Sequence, residues 1–140
     1  MRTINEIIVH CTATEEGKDF KAADIKRWHT AAPPKGNGWK DIGYHYVVDL
    51  DGTIEAGRPI DQVGAHCKNH NNNTIGVVYV GGLRNGKPAD TRTHEQIVSL
   101  NDLLVSLKIC FPTIKKISGH KDYAARACPC FDAKEEYKNL

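Results

Sequence analysis

At 140 residues the chain suits one domain that buries about two thirds of its unfolded surface. It is 40% hydrophobic and 26% charged with a net charge of +2, an ordinary globular composition, and no Lys/Arg run exceeds two residues, which excludes the basic stripe of a duplex-DNA binder. No apolar run approaches the roughly 18 residues of a membrane helix, and an odd count of five cysteines points away from a complete disulfide framework towards reduced thiols, at least one of them a ligand.

In chain order, the β-branched run of Ile4 to His10 predicts a buried strand ending at His10, where open α/β sheets place their sites. Thr12 to Lys18 is polar loop. Phe20 to Thr30 is expected to be a helix with Ile25, Trp28 and His29 facing the core, and the Pro33-Pro34-Lys35-Gly36 stretch breaks it. Tyr44 to Leu50 and Thr53 to Ala56 read as strands joined through the Asp51-Gly52 turn. Gly57 to Asn73 has little periodicity and reads as irregular, Ile75 to Val80 as a central strand, and Arg84 to Arg92 as polar loop.

The strongest helix begins at Thr93, whose spacing to Gln96 is a capping box. Ile97, Leu100, Leu103, Leu104 and Leu107 continue it as one apolar stripe. Ile114 to Ser118 is a short strand delivering Gly119-His120, and Ala133 to Lys138 a short closing helix. The expected fold is α/β, a single domain over residues 1–140 with a central mixed β-sheet flanked by helices and a metal site at strand ends.

The stretch Gly119 to Asp132, with its His, Arg, two Cys and a Pro, is a poor helix and a poor strand, and loops on a scaffold are where chemistry concentrates. A catalytic zinc takes three protein ligands and leaves one position open. His10, His120 and Cys128 meet that count, and they are too far apart in sequence for a structural finger. Cys11, next to His10 on a strand, points to the other face. Spacing alone does not choose between Cys128 and Cys130. Each residue also has an ordinary reading: a hydrogen-bonded strand-end His, a small buried thiol, a packed Tyr44, a solvated Arg126.

Six blocks occur in order: Val9-His10-Cys11-Thr12-Ala13-Thr14, Trp39-x-Asp41-Ile42-Gly43-Tyr44-His45, Asp51-Gly52-Thr53-Ile54-Glu55-x-Gly57-Arg58, Val63-Gly64-Ala65-His66, Asn73-Thr74-Ile75-Gly76-Val77 and Ala127-Cys128-Pro129-x-Phe131-Asp132. In these the chain resembles the type 2 N-acetylmuramoyl-L-alanine amidase and peptidoglycan recognition protein family, close to amidase-type phage lysozymes, from about Ile7 to Asp132. The resemblance implies a Zn2+ enzyme that hydrolyses the amide between N-acetylmuramic acid and L-alanine in peptidoglycan. It implies His10, His120 and Cys128 as metal ligands, which selects Cys128 over Cys130, and Tyr44 as a catalytic residue. Some relatives carry a Glu on the central strand, where this chain has Val77-Val78, so the Tyr-dependent form is the match.

One position departs from the pattern. Relatives usually carry Lys or Thr where this chain has Arg126, and a guanidinium can stabilise an oxyanion but does not give up a proton. Arg126 is therefore expected to act catalytically by charge. His66 is expected to line the substrate groove or brace the site, and the other four histidines to be structural or on the surface.

The expected partners are peptidoglycan and muropeptides, not DNA or membrane, with the protein a monomer. Two alternatives from other classes are a non-catalytic peptidoglycan-binding module and a regulatory protein partner. The first nine residues lack the apolar segment and cleavage site of an export signal. Cytoplasmic synthesis is therefore expected, with action on the cell wall after release, as for a phage or prophage endolysin.

Overall fold

A computed structural model describes residues 1–140. The elements in chain order are β1 (Glu6–Cys11), β2 (Thr14–Glu15), α1 (Ala22–Thr30), β3 (Tyr46–Val48), β4 (Ile54–Ala56), β5 (Thr74–Tyr79), β6 (Gly82–Arg84), β7 (Lys87–Pro88), α2 (His94–Cys110), β8 (Lys116–Gly119) and α3 (Ala133–Glu136), with a 3-10 turn at His120–Asp122.

Every residue of β1 and of β5 is buried, because both faces of the sheet they form are covered by helices. That sheet has the order β4-β3-β5-β1-β8. β1 runs parallel to β5 and β8, β3 runs parallel to β5, and only the edge strand β4 is antiparallel. The expected mixed α/β sheet is the observed one.

Strand alternation sorts the side chains into two cores. Ile7, Val9, Cys11, Ile75, Val77 and Tyr79 pack with Leu100, Leu103, Leu104 and Leu107 of α2. Val47, Val78 and Val80 pack with Ile25 of α1 on the other side. Each fully buried aliphatic side chain contributes about 1.5–3 kcal/mol relative to exposure.

Four expectations need correction. Ile97 does not join the α2 stripe, being 41% exposed. Its place is taken by Gln96, fully buried, whose amide donates to Val80 O at 2.9 Å and, more weakly, to Val48 O at 3.3 Å; an Ile would leave the Val80 carbonyl unpaired, while Val48 O keeps its bond from the Val80 N–H. The loops expected at Thr12–Lys18 and Arg84–Arg92 contain β2, the last residue of β6, and β7, which form a small second sheet, β2-β6-β7. β3 begins at Tyr46, so Tyr44 lies in the extended segment before it. Helix α1 begins at Ala22, where the Ala22 N–H donates to Glu55.

Candidate functional site

The carboxyl ends of β1 and β8 are neighbours, with Val9 opposite Gly119. That register sets His10 beside His120, the first residue of the 3-10 turn, and their rings stand 4.7 Å apart. The loop after the turn folds back through a Lys121 N–H to Cys128 O bond of 2.8 Å. One ligand atom each from His10, His120 and Cys128 then lies within 4.8 Å of the others. Cys130 takes a different place, its sulfur 3.9 Å from that of Cys11.

A chain of hydrogen bonds sets the protonation of His10. The Thr74 hydroxyl donates to His70 O at 2.6 Å, so towards the His66 Nε2, 3.2 Å away, it can only accept. His66 Nε2 therefore carries the proton, and its Nδ1 accepts from His10 Nε2–H at 2.9 Å. His10 Nδ1 is left as a bare lone pair, 3.9 Å from Cys128 Sγ. Such a partner on the far ring nitrogen is what selects the tautomer of a metal-binding histidine. The ring of His66 fits only because residue 76 of β5 lacks a side chain: a Cβ there would lie 2.5 Å from His66 Cγ.

Burial reinforces this state. Desolvation, followed by the charges of His66, His120 and Arg126, holds His10 well below the usual imidazole range. Desolvation and Arg126 lower His120 in the same direction. His66 is pushed down to about 3, first by desolvation and then by neighbouring His and Arg groups. The Cys128 thiol moves below its ordinary value, through the Cys11 thiol and then the Cys11 N–H, which donates at 3.1 Å, with Arg126 adding to both. Neutral imidazoles and an easily ionised thiol are the forms in which these side chains bind cations.

His120 lines a groove of about 640 Å³ whose walls also include Trp39, His66, Lys68, Tyr123 and the exposed Arg126, which brings the donor cluster to its edge. Tyr44 is half-buried, its ring 5.1 Å from that of His10 and 5.5 Å from that of His29. Desolvation raises its phenol above the ordinary value, so at neutral pH Tyr44 is an O–H donor. Thus all six expected site residues lie at one place.

The sequence reading missed the bracing groups. Thr74 is one, and Asn71, which accepts from the His66 and Cys67 N–H groups, is another. A third is the buried Arg58, bonded to the carbonyls of Ile42, Val63 and Asp41. Thr74 and Arg58 stand inside recognised blocks, which was the available signal; their bonds were not legible.

A mixed α/β sheet bearing two His donors at its strand ends and a Cys donor on the adjoining loop, beside a groove, is compatible with the centre of a metal-dependent hydrolase. The chain belongs to the N-acetylmuramoyl-L-alanine amidase family, which it matches over residues 1–131. It is similar to an endolysin of Klebsiella phage KP32, 42% identical over 131 residues that make up 93% of this chain and 83% of that protein. The endolysin of Escherichia phage T7 is 41% identical over 129 residues, 91% and 82% of the two chains. Among solved structures, the N-acetylmuramoyl-L-alanine amidase LysC from Clostridium intestinale superposes with a TM-score of 0.78 at 28% identity, over 96% of this chain and 82% of that one. The protein is accordingly a peptidoglycan amidase, a cell-wall-degrading hydrolase.

Proposed function

We propose that the 140 residues act as a single domain and a monomer, using Zn2+ held by His10, His120 and Cys128 to hydrolyse the amide between N-acetylmuramic acid and L-alanine. The convergence of three donor atoms within 4.8 Å at the groove carries this reading. The donor set suits zinc, which accepts nitrogen and sulfur ligands and needs one open position for catalysis. Bound there, zinc would supply Lewis-acid polarisation of the carbonyl and a nucleophile at neutral pH.

The remaining steps belong to the protein. His66 and Thr74 keep the His10 lone pair available. Tyr44 donates its O–H to the oxyanion that develops as the amide carbon becomes tetrahedral. Arg126 adds positive charge at the same centre. Its role is confined to charge, because a guanidinium does not release its proton. Removing one donor of this kind typically lowers the rate by ~10²–10³. His66 and Trp39 form the wall along which the muramyl-peptide lies. Action on the wall follows release from the cell that makes the protein, as the similarity to phage endolysins suggests.

The deciding experiment is mass spectrometry of products after zinc-loaded protein meets purified peptidoglycan. Stem peptides with a free L-alanine amino group, abolished by a chelator, are expected. Intact peptidoglycan in the presence of bound zinc would instead make the chain a binding module in which Arg126 does not replace the usual residue.

A further inference from the structure

Cys11 and Cys130 take no part in the proposed catalysis, yet their sulfurs are 3.9 Å apart. Cys11 is the last residue of β1, immediately after His10, and Cys130 lies two residues past Cys128. Between these sulfurs and β6 there is room made by a glycine. A Cβ on Gly82 would stand 2.5 Å from Cys11 Sγ, and the residue has φ +106, which other residues rarely adopt. The Cys130 thiol donates to the Gly82 carbonyl at 3.4 Å. Cys130 itself holds φ +71, a left-handed conformation that persists only where surrounding contacts over-determine it.

We propose that Cys11 and Cys130 close into a disulfide when the protein leaves a reducing cytoplasm, fastening the strand that bears His10 to the loop that bears Cys128. This rests on the reading that the protein works on the cell wall, in a compartment where disulfides persist. The half-exposed Cys130 is the entry point. Its sulfur attacks a small disulfide such as oxidised glutathione, the glutathione S–S bond breaks, and one glutathione leaves with the Cys130 proton. Cys11 sulfur then attacks Cys130 sulfur, the mixed S–S bond breaks, and a second glutathione leaves with the Cys11 proton. Two protein thiols are oxidised and one glutathione disulfide is reduced.

Cys128 is the rival, since its sulfur rests on the Cys11 N–H at 3.1 Å. A cation bound at Cys128 withholds that sulfur from exchange, so the pair that closes in the loaded protein is Cys11–Cys130. The cross-link would span most of the chain, where loop closure restrains the unfolded state strongly.

The test uses zinc-loaded protein in a Cys110→Ser background, because Cys110 is exposed and would otherwise join molecules together. After incubation with oxidised glutathione, non-reducing peptide mapping is expected to link the Cys11 and Cys130 peptides, with free thiols, counted after denaturation in chelator, falling from four to two. Zinc content should stay constant while Tm rises by about 5 °C or more, reverses with dithiothreitol, and does not rise when Cys130→Ser is added. A cross-link to Cys128, a glutathione adduct on Cys130 that never resolves, or four free thiols would overturn the proposal. Mapping reads sulfur, not turnover: an inactive protein with the Cys11–Cys130 bond sinks only the proposed function, and an active one with four free thiols sinks only the disulfide.

Discussion

Protonation is what the individual residues of the site control. Thr74 donates to His70 O, His66 therefore donates to Thr74, and His10 therefore donates to His66. Thr74→Val removes the acceptor that keeps the proton on His66 Nε2 and frees that ring to reverse. Zinc affinity, measured by competition with a chelating dye, is expected to weaken by about 10-fold or more, with the fold intact by circular dichroism; unchanged affinity would remove Thr74 from the chain. Tyr44→Phe should behave in the opposite way. Zinc stays bound while the rate falls by ~10²–10³, and a near-wild-type rate would exclude the phenol from catalysis.

His45 supports a pH prediction away from the donors. Its Nδ1 accepts from the Gly76 N–H at 3.0 Å and its Nε2–H donates to Gln62 O at 2.8 Å, so the folded ring is neutral. Desolvation, against the Gln62 carbonyl and with the Arg2 and Arg58 charges, pushes it down to about 4. Because the folded pKa lies below the unfolded value near 6.5, the unfolded chain binds the extra proton first. Stability is thus fully present above pH 6.5 and is lost as pH falls from 6.5 to 4, by up to about 3 kcal/mol from this group. NMR titration of the His45 ring should place its midpoint near the lower end of that window; a midpoint near 6.5 would refute the account.

Among the elements, α2 best separates what was legible from what was not. Its start at Thr93 and the Leu100, Leu103, Leu104 and Leu107 stripe follow from capping chemistry and the 3.6-residue period, both local. The exchange of Ile97 for Gln96 is not local. It depends on the carbonyls of Val48, the last residue of β3, and Val80, just past β5, which a polar residue at the helix start gives no sign of meeting. Gln96→Leu is accordingly expected to cost about 1–3 kcal/mol in urea unfolding by leaving the Val80 carbonyl unpaired, while Ile97→Lys stays within about 0.5 kcal/mol. Equal effects would undo this assignment. The small β2-β6-β7 sheet escaped notice for a related reason: two- and three-residue strands carry too few positions for alternation to register.

For the molecule as a whole, the buried strands β1 and β5, the hairpin and the order of elements were readable from hydrophobic runs and turns. The meeting of His10, His120 and Cys128 was not readable from spacing, which left Cys130 open. It required β1 to lie beside β8, a pairing between distant parts of the chain. Resemblance supplied what pattern could not. Since the folded chain assembles the donors and the unfolded chain scatters them, zinc should stabilise the native state by mass action. At free zinc one hundred times its Kd the gain is about 2.7 kcal/mol, and stripping the metal should lower Tm by several degrees in calorimetry. A Tm indifferent to zinc would mean that no such centre forms.

The pairing of β1 with β8 also has a consequence in time. His10 leaves the ribosome early and Cys128 about 118 residues later, an interval of about 6–24 s at ~5–20 residues per second. Throughout it the nascent chain owns one donor or two, and although β5 can pair with β1 midway through, β8 follows only near the end. If the proposed ligand set is the working one, the cutting centre comes into being in a single late event, and a chain interrupted before residue 128 is expected to be harmless to the cell that makes it.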